Sequence, residues 1–292
     1  MCFSLIERGT FIKEKKMKGG EEVNWLCWSL KQLYYYIGGN KMKKKKVFAL
    51  TLVLTLIVGI FALVPSVGAV SDSPVKLIYA KPAYTSTGTG ATGYVEVENL
   101  AYDKNITIHY SFDGNEWFDT AAEYYRPTYG NYEAWTFETT GKYPTYRGSV
   151  TVQFAIKYEV NGQTYWDNNN GNNYTVSAGY LAGQSYDFGV GGIANVSASK
   201  QSNNNTVYGS LQLKNLGYQK DVKVIYTTDN WETTNEVSAE YDRFTSANDS
   251  VEIWDYSFET TQSNIQYKLS YTVNGTTYID DNFGDYYTVT VY

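Results

Sequence analysis

The sequence predicts an all-β protein made of two immunoglobulin-like antiparallel β-sandwich domains in tandem, and three observations carry that reading. First, residues 99–174 are echoed block by block at 215–287. Asn99-Leu100-Ala101-Tyr102-Asp103-Lys104 returns as Asn215-Leu216-Gly217-Tyr218-Gln219-Lys220, and Ala122-Glu123-Tyr124 returns as Ala239-Glu240-Tyr241. Later, Tyr158-Glu159-Val160-Asn161-Gly162 returns as Tyr271-Thr272-Val273-Asn274-Gly275, the offset moving from 116 to 113 residues. A spacing of that size is a whole domain, not a solenoid unit. Second, short segments rich in Val, Tyr, Thr and Ile alternate with polar residues at 93–98, 149–158 and 206–213, the pattern of half-buried antiparallel strands. Third, turn signals separate them at hairpin distance: Asp113-Gly114, Asn161-Gly162, Asp229-Asn230 and Asn274-Gly275. No helical period interrupts them, and about 100 residues with seven or eight such strands fits a sandwich.

Taken in order, residues 1–41 are a preamble that reads as an upstream extension from a misplaced start. Met42 then opens a run of lysines at 43–46, followed by an apolar run over 47–62 and by Val67-Gly68-Ala69. A charged region, an apolar region and small residues at a cut make a secretory signal peptide over 42–69, with cleavage after Ala69. The apolar run is short of the roughly 20 residues that a membrane span needs, and Pro65 and Ser66 follow closely. An uncleaved anchor is the alternative. The first sandwich is expected over 70–176, a glycine-bearing linker over 177–190 and the second sandwich over 191–292. The expected product is secreted and extracellular.

Composition excludes several functions. Both cysteines, Cys2 and Cys27, precede Met42, so the exported chain has no disulfide framework and no thiol chemistry. From Val70 onward 13 Lys and Arg face 26 Asp and Glu, a charge that repels nucleic acid and anionic lipid. The single histidine, His109, sits in the alternating run 106–110 and reads as a solvent-facing strand position. One histidine and no cysteine leave a zinc or iron site short of its usual ligands, and no cofactor is expected. A calcium loop at Asp167-Asn168-Asn169-Asn170-Gly171 has glycine at position five and Ala178 at position twelve, where an EF-hand wants glycine at six and glutamate at twelve. Hairpin capping by Asp167 and Asn168 is a further reading of that segment, and for Asp167 it stands level with ligand contact.

The exported region is rich in Tyr, Trp and Asn and poor in Lys, with many aromatics beside turns. A pyranose offers an apolar C–H face to an aromatic ring, while its hydroxyls call for amides and carboxylates. Strand propensity accounts for many of the tyrosines, and less well for Trp117 and Trp166.

The blocks Asn99-Leu100-Ala101-Tyr102-Asp103-Lys104, Asn131-Tyr132-Glu133-Ala134-Trp135-Thr136-Phe137 and, above all, Tyr165-Trp166-Asp167-Asn168-Asn169-Asn170-Gly171-Asn172-Asn173-Tyr174 resemble carbohydrate-binding module family 21. That family holds starch-binding domains and glycogen-targeting subunits of protein phosphatase. The resemblance covers both domains and implies binding of α-1,4-glucan (starch, glycogen, maltooligosaccharides) at two surface sites per domain. It implies stacking by Trp117 and Trp166 with Asn168 and Asn173 as amide partners, a third aromatic of some members being replaced by Ala155. It implies a second site of Asn99, Tyr102, Lys104, Tyr124 and Tyr132. In the second domain Trp231 answers Trp117, but Ile279 stands for Trp166, Asp281 for Asn168 and Tyr286 for Asn173, whereas Asn215, Tyr218, Lys220 and Tyr241 preserve the other site. Three working sites are therefore expected, joined so that weak contacts add through avidity on a polymer.

Catalysis is not expected. Glycoside hydrolysis needs paired carboxylates in a cleft; Glu123 and Glu240 recur without a recurring acidic partner, and no Gly-x-Ser-x-Gly elbow is present. The expected partners are the polysaccharide and co-secreted amylases, with no nucleic acid and no membrane after cleavage. Export would separate the chain from cytosolic phosphatases. The alternative function is a cell-surface or matrix adhesin built from structural sandwich repeats, whose binding would be indifferent to Trp166 and to soluble glucan.

Overall fold

A computed structural model describes residues 73–180, 183–245 and 248–292; the preamble and the signal segment lie outside the described residues. The first domain runs β1 (Val75–Thr85), β2 (Gly88–Glu98), β3 (Lys104–Ser111), β4 (Trp117–Ala121), β5 (Glu123–Pro127), β6 (Tyr132–Glu138), β7 (Ser149–Val160), β8 (Gln163–Asp167) and β9 (Tyr174–Gly179), then β10 (Gly183–Ser185) and β11 (Asp187–Phe188). One sheet has the order β11-β1-β2-β6-β5 and the facing sheet β10-β9-β7-β3-β4, with β8 on the far part of β7. The second domain repeats the plan with β12 (Ile193–Lys200), β13 (Thr206–Lys214), β14 (Lys220–Thr227), β15 (Asn235–Ser238), β16 (Glu240–Thr245), β17 (Asn248–Glu259), β18 (Gln266–Val273), β19 (Thr276–Asp280), β20 (Tyr287–Thr288) and β21 (Thr290–Val291). Its sheets are β16-β17-β13-β12-β21 and β15-β14-β18-β19, with β20 on β18. The predicted all-β sandwich is what forms.

The alternation puts every second residue inside. Ile106, Ile108 and Tyr110 of β3 and Val152, Phe154, Ile156 and Tyr158 of β7 are buried in the first core, and Val222, Val224, Leu269 and Tyr271 take the matching places in the second. Both Asn-Gly pairs turn as read: Asn161 and Gly162 have φ of 51° and 71°, Asn274 and Gly275 of 50° and 80°, the left-handed pair that matches strand twist in a two-residue hairpin. A buried tyrosine ties the sheets in each copy, Tyr158 Oη–H donating to the Glu98 carbonyl at 2.8 Å and Tyr271 to that of Lys214 at 2.9 Å.

Within 177–190, expected as a linker, the end of β9 and the short strands β10 and β11 are built into the sheets. β10 pairs with β9 and β11 with β1, and Tyr186 and Phe188 are each 2% exposed. Glycine spacing made the segment read as a tether, but its two aromatics are core residues. They join Tyr79, Ala194 and Val251 in a third apolar cluster shared by both sandwiches. Gln212, 2% exposed, accepts from the Tyr186 N–H at 3.0 Å and donates to the Gln184 carbonyl at 3.0 Å. Lys214 donates to the carbonyls of Phe188 and Gly189. The two sandwiches form one compact unit.

Candidate functional site

On the outer face of the β9-β7-β3-β4 sheet, β4 starts at Trp117 and β8 ends with Trp166 and Asp167. Trp166 is 46% exposed. Between the two tryptophans lies His109: its ring stacks on Trp117 at 4.7 Å and 10°, and meets Trp166 edge-on at 6.2 Å and 79°. Asp119 holds the imidazole Nδ1 at 2.6 Å. His109 is thus on the outer strand face, as expected, but it is a third ring of the aromatic group and not a bystander. Ala155, opposite it in the β3–β7 register, is buried. The run 106–110 alone does not show this role of His109, although the β3–β4 hairpin sets it across from Asp119.

The loop 167–173 follows Trp166. Asp167 turns inward: it accepts from the Leu77 N–H at 2.7 Å and from the Tyr174 hydroxyl at 2.9 Å, so its role is structural. Burial, then the Asp167 charge, push the Tyr174 hydroxyl well above the usual phenol range. Asn168 accepts from the Gly171 N–H at 3.0 Å with its side-chain oxygen. Asn169, Asn170 and Asn173 have φ of 51°, 56° and 57°, a region that asparagine tolerates. Asn168 is exposed and Asn173 half-buried.

The second group lies on the other side of the domain, and its residues form a relay. Lys104 Nζ donates to Asn99 Oδ1 at 2.6 Å and to Glu133 Oε2 at 2.7 Å; Glu133 Oε2 also accepts from Trp135 Nε1–H at 3.1 Å; Tyr124 packs edge-on against Trp135 at 5.9 Å and 84°. The Lys104 side chain is buried, 4% exposed. Its ammonium braces Asn99 instead of projecting outward, while Tyr102 stands 96% exposed on the preceding loop. A groove of about 540 Å³ runs beside Tyr102, between 103–105 and 159–164. Tyr132, at the head of β6, is half-buried.

The second domain repeats the relay part for part. Lys220 bonds Asn215 at 2.9 Å and Glu252 at 3.0 Å, Trp254 Nε1–H donates to Glu252 at 2.8 Å, and Tyr241 packs edge-on against Trp254 at 6.1 Å, with Tyr218 99% exposed. Glu133, Trp135, Glu252 and Trp254 were not singled out from sequence, although the repeat displays both Glu-x-Trp triplets. The place of Tyr132 is taken by Val251, which is buried in the cluster shared by the sandwiches. Trp231 does not reproduce Trp117. It packs on Tyr286 at 4.1 Å, Lys268 Nζ lies 5.4 Å over its ring, and its φ is 69°. Ile279, 51% exposed, lies where Trp166 lies in the first domain.

The profile of a family described as carbohydrate/starch-binding module (family 21) matches residues 72–177 and 192–290. Glucoamylase 1 of Rhizopus oryzae is 36% identical over 128 residues, 42% of this chain and 19% of its own. Human protein phosphatase 1 regulatory subunit 3B is 38% identical over 86 residues, 29% of this chain and 30% of its own. The chain therefore spans less than a third of either relative. Among solved structures, the starch-binding domain of Rhizopus oryzae glucoamylase in complex with β-cyclodextrin and maltoheptaose is 38% identical, over 37% of this chain and 96% of that one, with a TM-score of 0.30.

Proposed function

The chain belongs to carbohydrate/starch-binding module family 21, and on that premise we propose that it is an exported, non-catalytic protein that holds α-1,4-glucan polymer. The observation that carries the reading is the aromatic group of the first domain. Trp117, His109 and Trp166 gather on an open sheet face beside a loop that carries the exposed Asn168. Flat rings for the apolar sugar face and amide donors for its hydroxyls are what a pyranose requires. Tyr102 with Asn99 and Tyr124, and Tyr218 with Asn215 and Tyr241, supply two further contact points, with Lys104 and Lys220 as braces behind them. Asn173 and Tyr132 border these surfaces.

Three open sites of this kind are individually weak, and their joint use on a repeating polymer raises avidity by about 10² to 10⁴. Because the sandwiches share a core, the sites act as a fixed array, so a granule or long chain is favoured over a short oligosaccharide. Export rests on the 42–69 pattern of lysines, apolar run and small residues. Concentrating polymer near separately secreted amylases is the use such a binder would serve.

The test is retention of the protein on granular starch, with insoluble cellulose as control and soluble maltoheptaose as competitor. Starch-selective retention relieved by competitor supports the proposal. Equal retention on both solids, or retention indifferent to competitor, would favour an adhesin built on the same fold.

A further inference from the structure

The loop 280–286 of the second domain is the counterpart of the Asn-rich loop 167–173, and it is used differently. The correspondence is fixed by chemistry at both ends. Asp280 accepts from the Asn195 N–H and the Tyr287 hydroxyl, as Asp167 accepts from Leu77 and Tyr174. The backbone is copied too: Asn282, Phe283 and Tyr286 have φ of 54°, 56° and 59° against 51°, 56° and 57° in the first domain. Phe283 thus occupies the left-handed position of Asn170. Asparagine tolerates that conformation, whereas a bulky aromatic there is an outlier retained only where its surroundings demand it.

The surroundings are the first domain. The Phe283 ring lies 4.6 Å from Tyr94 on β2 and 5.5 Å from Tyr125 on β5. Arg126 donates to the Phe283 carbonyl and pairs with Asp285 at 3.1 Å, its guanidinium also lying 5.3 Å over Tyr125. The contact is one-way. At the positions of Tyr94 and Tyr125 the second domain has Ser210 and Asp242, and at the position of Phe283 the first has Asn170. Ring donor and ring acceptors occur only in the copies where they meet.

The contact falls on β5, an edge strand of five residues hydrogen-bonded on one side only, to β6. The register slips between Tyr124 and Arg126, and such a bulge re-aims the intervening side chain. Tyr125 is thereby sent to Phe283, while its neighbour Tyr124 packs on Trp135 in the Tyr102 group. We propose that Phe283, with Asp285, is a positioning element for sugar binding by the first domain: the second domain has given up its own Asn-type loop and uses it to fix the strand that presents Tyr124. The part of this inference that concerns sugar rests on the function proposed above.

The experiment uses the full chain in a background of Trp117→Ala, Trp166→Ala and Tyr218→Ala, so that maltoheptaose binding reports the Tyr102 and Tyr124 group. Calorimetry gives affinity, and amide hydrogen exchange gives the mobility of β5. Adding Phe283→Ala is expected to weaken binding several-fold and to accelerate exchange at Tyr124, Tyr125 and Arg126, with Phe283→Tyr, which keeps the ring, restoring both. In the wild-type background the same substitution leaves exchange at Trp117 and Trp166 unchanged, which separates bracing from general unfolding. Unchanged affinity and unchanged β5 exchange in Phe283→Ala would overturn the proposal. If the background binds no maltoheptaose but exchange at β5 still accelerates, the sugar reading falls and the brace stands.

Discussion

Lys104 Nζ and Glu133 Oε2 lie 2.7 Å apart with both side chains largely buried, and Lys220 and Glu252 repeat the pair at 3.0 Å in the other domain. A buried pair is held in place because removing either partner strands the other charge away from water. Here each carboxylate also takes an indole N–H, and each ammonium takes an asparagine oxygen. The pair therefore couples the inside of the sandwich to the asparagine on its surface.

Lys104→Met is expected to lower stability by about 3 kcal/mol, since it leaves the Glu133 carboxylate buried with one indole partner. Adding Glu133→Gln should recover a large part of that loss. Urea unfolding of the two single variants and the double one closes the cycle; additive losses would mean that the two residues are not coupled.

Much of this was legible in the sequence, and the misses have physical causes. Strand positions and Asn-Gly turns are local, so they could be read directly. The repeat shows which residues of the Tyr102 group recur, including Asn215, Tyr218 and Lys220. What escaped was long-range. Lys104 reads as a sugar contact until the fold sets Glu133 against it. His109 looks like a solvent residue until β4 and β8 bring Trp117 and Trp166 to its two sides. The stretch 177–190 looks like a tether because glycines show in a sequence and the burial of Tyr186 and Phe188 does not. The loss of Asn at 281 and 286 is visible as drift, whereas the docking of Phe283 on Tyr94 is not, because it is a contact between domains.

His109 is expected to matter to the first aromatic group. Trp117→Ala and Trp166→Ala should each weaken maltoheptaose binding there by about 1 kcal/mol, roughly fivefold, through loss of a stacking ring. His109→Ala, which removes the ring packed flat on Trp117, should have a smaller effect of the same sign, and His109→Phe should retain affinity. Titration calorimetry in a Tyr102→Ala, Tyr218→Ala background measures all four. Binding untouched by His109→Ala would show that Trp117 needs no support.

Stability should carry a pH signature from Asp280. Burial pushes its carboxyl above the usual carboxylate range, and the hydrogen bonds from Tyr287, Asn195 and Asn282 only partly oppose this. A folded-state value above the unfolded one, about 3.9, gives stability that is full below the unfolded value and lost as pH rises through the folded one. Asp280→Asn abolishes the titration while keeping an acceptor for Asn195 and Tyr287. The stability of the wild type relative to this variant should therefore fall as pH is raised from about 3 and then level off. Urea unfolding across that range checks it, and a difference that rises with pH would refute the assignment.

Trp231 marks where the second domain departs from the aromatic group of the first. Were it a sugar platform like Trp117, Trp231→Ala would weaken starch retention. In the structure Tyr286 packs on it at 4.1 Å, the Lys268 ammonium lies over the ring, and Ile279 replaces the second tryptophan of the group. A ring occupied by its own neighbours has to lose those contacts before it can take a sugar. Trp231→Ala is thus expected to leave retention on granular starch within about twofold of wild type while lowering the unfolding free energy by about 2 kcal/mol, the cost of emptying a partly buried aromatic site. Trp166→Ala should do the reverse, since that ring is half in solvent. Loss of starch retention in Trp231→Ala at unchanged stability would restore a fourth sugar site to the array.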